Sequence, residues 1–191
     1  MDKIVVLDFG SQTSQLISRR IRETGIYCEV LPGETKAESI SAAGLKGIIF
    51  SGSPESVYDD GAPLVDKKYY SMGIPILGIC YGFQRITADF NGIVSPLEKK
   101  EYGRSAVKYL EESPLFKDVP EYFISWMSHG DSMEKPGDGF KVIAVSEHHT
   151  AAVVNKELNI YGIQFHPEVS HCEYGSRILD NFASQICGAK K

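Results

Sequence analysis

The sequence predicts an α/β protein in three layers: a largely parallel central sheet with helices on both faces, and extra strands in the second half. Two observations predict it. Over residues 1–91, short continuously apolar runs alternate with segments of helical periodicity. Strands that are apolar along their whole length belong to parallel sheets covered on both faces. After Asn91 and Gly92 the texture changes to runs of β-branched and aromatic residues separated by turns rich in Gly, Pro and Asp.

In chain order, Ile4 to Leu7 read as a strand, and Leu16, Ile17 and Ile21 mark a helix that Gly25 stops. Residues 27–31 predict a strand, 37–43 a helical segment, 47–50 a strand, 64–72 a second helical segment, and 74–79 the most apolar strand. Residues 83–90 follow as helix. Strands are predicted over 102–110, 122–127, 140–145, 151–155 and 160–165. Ile178, Leu179, Phe182 and Ile186 place a last helix within 173–186. No repeat, low-complexity tract or long linker interrupts this order, so residues 1–191 are expected to form one domain.

Composition narrows the function. The chain is 42% hydrophobic and 24% charged, a balance that builds a core. Its formal net charge of -5 leaves no excess of positive charge to draw in a phosphate backbone, so nucleic acid is not an expected partner. The longest uncharged apolar stretch, residues 73–83, falls short of the roughly 20 residues of a membrane helix, so no membrane partner is expected either. Cys28, Cys80, Cys172 and Cys187 form neither a Cys-x-x-Cys pair nor a dense framework, which suits reduced thiols in a cytoplasm. Neither phosphate-binding glycine signature is present, so ATP is not expected on this chain. His166, His171 and Cys172 lack zinc-site spacing, and no metal or other cofactor is expected.

The chemistry concentrates in two motifs. The apolar strand 74–79 runs into Gly78-Ile-Cys80-Tyr-Gly82 and then a helix, the pattern of a nucleophile elbow with cysteine as nucleophile. A lone cysteine is commonly just a buried thiol. Here the flanking glycines argue otherwise, because a sharp turn brings positions two before and two after the nucleophile too close for a Cβ. A helix N-terminus at this point would favour the thiolate. The second motif is Gln164-Phe-His166-Pro-Glu168 at the end of another strand. Glu168 can reach back to the His166 imidazole, fix its tautomer and support its charge. Cys80, His166 and Glu168 thus make a consistent triad. His129 is expected on a turn after a strand, and His148, His149 and His171 on the surface.

Together these motifs resemble the class I, triad-type glutamine amidotransferases. Within that class, residues 7–12, 51–57, 126–131 and 166–171 are similar to the amidotransferase part of GMP synthetases. The resemblance implies that Cys80 attacks the side-chain amide of glutamine while His166 moves the protons. It implies an oxyanion hole from the backbone N–H groups of Tyr81 and Ser53, and contacts to the substrate's amino acid end from Gly52, Gln84, Ser128, Gly130 and Asp131. The partner it implies is an ATP pyrophosphatase subunit or domain, carrying ATP and Mg, that uses the ammonia to convert XMP to GMP. The family usually has Gly-Gly-Pro where this chain has Gly52-Ser53-Pro54, so a φ above zero at residue 53 would be strained. Two other readings use the same residues: a related cysteine hydrolase or peptidase, and a non-catalytic regulatory module on the same fold.

Overall fold

The structure, a computed structural model, describes residues 1–191 apart from the side chain of Lys99. Nine strands form one sheet: β1 (Lys3–Asp8), β2 (Tyr27–Pro32), β3 (Leu45–Phe50), β4 (Ile76–Ile79), β5 (Ile93–Tyr109), β6 (Tyr122–Lys135), β7 (Lys141–Ser146), β8 (Thr150–Asn155) and β9 (Ile160–Ile163). Their order across the sheet is β2-β1-β3-β4-β9-β8-β7-β5-β6. Three α-helices accompany them: α1 (Ser14–Glu23), α2 (Tyr81–Asp89) and α3 (Gly175–Asp180), the last continuing into a π-helical turn over Asn181–Ile186. Among the described residues, no helix is long and apolar enough to cross a membrane.

The expectation of a largely parallel sheet holds for only half of it. The strands from β2 to β9 pair in parallel, and every pairing from β9 out to β6 is antiparallel. Connection length explains the change. Only residues 147–149 join β7 to β8, and only 156–159 join β8 to β9, whereas a parallel pair needs a crossover of roughly a dozen residues or more.

Two segments expected to be helical form only short 3-10 turns, Ala37–Ser39 and Lys67–Ser71. Isolated runs this short do not sustain a helix. Both turns instead share one cap, because the Asp66 carboxylate accepts from the N–H groups of Ala37 at 3.0 Å and Lys68 at 3.1 Å.

Helices do cover both faces of the parallel half. On one face Ile4, Val6, Ile49, Leu77 and Ile79 pack with Ile17 and Ile21 of α1 and with Ile178, Leu179 and Phe182 near the C-terminus. On the other, Val5, Leu7, Ile48, Phe50 and Ile76 pack with Tyr69, Tyr81 and Ile86. Fully burying one such aliphatic side chain contributes roughly 1.5–3 kcal/mol, so these two layers dominate the stability of this half.

The turn from β4 into α2 is the tightest junction. A Cβ on Gly78 would stand 2.7 Å from the backbone of Gly82, and one on Gly82 would stand 2.7 Å from the Cβ of Phe50. Gly82→Ala should therefore destabilise the protein by about 1–3 kcal/mol through overpacking. Gly61→Ala, where a Cβ meets nothing within 4 Å but φ is +76°, should cost about 1 kcal/mol from backbone strain alone. Urea unfolding midpoints of the two variants test this order.

Candidate active site

Four loops converge at the carboxyl ends of the parallel strands, where open α/β sheets place their ligands. They are residues 9–13 after β1, 51–54 after β3, Cys80 after β4 and residues 164–168 after β9. Ser51 ties three of them together. Its hydroxyl accepts the Phe9 N–H at 2.9 Å, and its carbonyl accepts the Gly82 N–H at 3.1 Å.

Cys80 has φ 54° and ψ -106°, a backbone state costly for any residue with a side chain. Its N–H is fixed by the carbonyl of Ile163 at 2.8 Å. The Sγ lies 3.6 Å from the Ser128 carbonyl and receives the Gln164 Nε2–H at 3.5 Å. His166 shares a cavity wall with Cys80 and is held from behind by Glu168, whose Oε2 accepts from Nδ1 at 2.9 Å. A carboxylate can only accept, so Nδ1 carries a proton. Burial works to lower the His166 pKa, but the interactions with Cys80 and Glu168 outweigh it and hold it well above 6.5. The arrangement favours an imidazolium beside the sulfur.

Glu168 is itself buried, at 1% exposure. Its Oε2 also accepts the Thr13 hydroxyl at 2.6 Å, and its main-chain carbonyl accepts Arg20 Nε at 3.0 Å.

Cys80 lies where two cavities meet. One, of about 320 Å³, is lined by Ser11, Thr13, Gly52, Ser53, Trp126 and His166, among others. The other, of about 510 Å³, reaches Ser53, Gln84, Ser128, Gly130 and Asp131. Of the candidate site residues, Cys80, His166, Tyr81, Ser53, Gly52, Gln84, Ser128, Gly130 and Asp131 all line one of these cavities, and Glu168 lies behind His166. Among the described residues, the N–H groups of Tyr81 and Ser53 meet no acceptor. Ser53 is not among the non-glycine residues with positive φ, so the expected strain is absent from this conformation.

Gln84 donates through Nε2 to the Asp131 carbonyl and to Gln164 Oε1, both at 3.1 Å. With its amide hydrogens engaged, its carbonyl is the end able to face a ligand.

His129 departs from expectation. It sits inside β6 rather than on a turn and is 4% exposed. The β5–β6 register sets Glu101 directly opposite, and its carboxylate lies 2.8 Å from His129 Nε2, while Nδ1 lies 2.5 Å from the Asp131 carbonyl. A cross-strand acid thus stabilises the buried ring. His148 and His171 are exposed as expected, and His149 is half-buried.

Sequence reading passed over Thr13 and gave Gln164 no role of its own. Gln164 carried a usable signal: a polar residue two before His166, hence on the same side of an extended chain. Thr13 carried none, since its contact to Glu168 spans 155 positions. Ser56 and Tyr58, whose hydroxyls both bind the Asp131 carboxylate, were equally silent.

The family model for glutamine amidotransferase class-I matches residues 5–186. The chain is 50% identical over 188 residues to GMP synthase (glutamine-hydrolysing) of Caldicellulosiruptor saccharolyticus, covering 98% of this chain and 37% of that protein. It is 52% identical over 190 residues to the protein of the same name from Lactobacillus acidophilus, with the same two coverages. The chain thus spans little more than a third of the length of these relatives. A crystal structure described as that of a GMP synthase subunit from Thermoplasma acidophilum matches with a TM-score of 0.85 at 31% identity, covering 98% of this chain and 94% of that one. On the family match and on these relatives, the chain belongs to the class I glutamine amidotransferases.

Proposed function

We propose that this chain hydrolyses glutamine to glutamate and ammonia and delivers the ammonia to an ATP pyrophosphatase subunit or domain that converts XMP to GMP. The observation that carries the chemistry is the placing of Cys80, at the strained elbow, and His166 on one cavity with Glu168 bound to Nδ1 behind the ring. The names of the relatives support the destination of the ammonia. ATP and Mg belong to the partner in this reading. Residues 1–191 act as one domain, in the cytoplasm, with neither nucleic acid nor membrane as partner.

In the proposed mechanism the Cys80 thiolate attacks the amide carbon of glutamine, and the carbonyl oxygen takes the negative charge. The free N–H groups of Tyr81 and Ser53 stabilise it. His166 gives its proton to the departing nitrogen, and ammonia leaves a thioester on Sγ. His166 then takes a proton from water, whose oxygen attacks the thioester, and glutamate leaves as the thiolate re-forms. Glu168 keeps the imidazole oriented and offsets its charge throughout. The Gln84 carbonyl and the backbone at Gly52, Ser128, Gly130 and Asp131 hold the amino acid end of the substrate.

Three outcomes test this reading. Cys80→Ala, mixed with an ATP pyrophosphatase subunit, ATP and XMP, should form no GMP from glutamine yet form it normally from ammonium. Loss of both reactions would make Cys80 structural. His166→Ala should reduce ammonia release more than Glu168→Gln, because the imidazole carries the proton and the carboxylate only orients it. Equal losses in two folded variants count against these roles. Iodoacetamide at pH 7 should modify Cys80 ahead of the other thiols. Burial pushes Cys28 up to about 11, Cys172 up to about 12, and Cys187 upward as well. Peptide mass spectrometry showing another cysteine labelled first would contradict this.

A further inference from the structure

Thr13 occupies the N-cap position of α1, yet its hydroxyl makes no cap bond to the helix. A threonine there ordinarily turns its side-chain oxygen onto the free N–H groups of the first turn. This one donates to Glu168 Oε2 at 2.6 Å, the same oxygen that His166 Nδ1 approaches at 2.9 Å. The direction of the bond is fixed, since an ionised carboxylate has no proton to give. Thr13 Oγ1 is then free to accept, and the Ser11 hydroxyl lies 2.9 Å away. Ser11 Oγ in turn accepts the Thr13 N–H at 3.1 Å. The loop carrying both is anchored by Asp8, whose Oδ1 accepts the Gly10 N–H and the Ser14 hydroxyl, each at 2.8 Å.

Nothing else shares this work among the described residues. Glu168 Oε1 is buried without a partner. The titratable groups around the carboxyl are His166, Cys80 beyond it, Cys172, and Arg20 of α1, which meets Glu168 at its main-chain carbonyl and pairs its charge with Glu23. Burial, with Glu168 adding to it, keeps the Cys172 thiol neutral at about 12.

We infer that Thr13 is a positioning residue for glutamine hydrolysis: its hydroxyl, backed by Ser11, keeps the Glu168 carboxylate aimed at His166. The inference rests on the triad proposed above. Removing a donor from a buried carboxylate raises its proton affinity. The carboxylate then holds the His166 proton more firmly, so the imidazolium persists to higher pH. Thr13→Val should therefore move the alkaline limb of kcat/KM for glutamine, where the imidazolium is lost, upward by about half to one pH unit. Thr13→Ser, which keeps the hydroxyl, should restore the wild-type limb.

The test is steady-state ammonia release by the full chain as a function of pH, for wild type, Thr13→Val, Thr13→Ser and Cys80→Ala. If Thr13→Val does not fold, Thr13→Ala, which only removes atoms, carries the same expectation. A loss by the same factor at every pH, or a limb that does not move, overturns the inference, and with Cys80→Ala inactive the triad still stands. Wild-type ammonia release by Cys80→Ala overturns the triad and the inference with it.

Discussion

The sharp backbone turn at Cys80 is the constraint on which the rest of the site depends. With φ at 54° the residue is lifted out of β4 before α2 begins, and only glycine fits at positions 78 and 82. Strain of this kind costs on the order of 1–3 kcal/mol and persists only where the surroundings over-determine it. Here they do. β4 is wholly buried between β3 and β9, its end is pinned by the bond from Cys80 N–H to Ile163, and the start of α2 is pinned by Gly82 N–H to Ser51. The apolar layers on both faces of the parallel half thus hold a high-energy turn in place and fix the sulfur to the framework.

Two polar chains, buried at their inner ends, then converge on that turn. One runs from Ser11 and Thr13 through Glu168 to His166. The other runs from Glu101 through His129 to the Asp131 carbonyl, and on through Gln84 and Gln164 to Cys80 Sγ. Buried polar groups are costly unless satisfied, and chains of hydrogen bonds reinforce one another when they are. Each chain joins one flank of the sulfur to a different part of the fold, α1 in one case and β5 in the other. The sulfur and the imidazole are consequently placed by contacts far apart in sequence, and a change at Glu101 or Ser11 acts on them without touching either.

That geometry also explains what could be read from the sequence. The elbow, the His166 and Glu168 pair and the parallel strands depend on spacing within a few residues, and so left local signatures in glycine placement and continuous apolar runs. The antiparallel wing was visible as strands but not in its pairing, because strand direction follows from connection length rather than from composition. Segments 37–43 and 64–72 carried helical periodicity, but one carboxylate, Asp66, captured both as short 3-10 turns. His129 read as a turn because Ser128 and Gly130 flank it, whereas the pairing of β6 with β5 draws the whole stretch into a strand. Thr13 could not be read at all, since its role exists only once α1 is packed beneath residues 166–168.

The two halves of the sheet therefore do different work. The parallel half delivers the sulfur, the imidazole, the carboxylate and the free N–H groups, each from the end of a strand or its loop. The antiparallel half supplies the opposite wall: Trp126, Ser128, Gly130 and Asp131 all lie on β6, at the far edge of the strand order, yet all border the cavities at Cys80. An edge strand reaches them only because β5 and β6 are long and turn back over the elbow, with the backbone of Trp126 receiving the His166 N–H at 2.9 Å. Closing the site against an edge also solves a problem of that edge. The open backbone of β6 is occupied by His166 at Trp126 and by Glu173 at Ile124, whose N–H and carbonyl both bind it. The segment that carries the imidazole is the same one that covers the exposed strand, so protection of the sheet edge and placement of His166 are a single structural requirement.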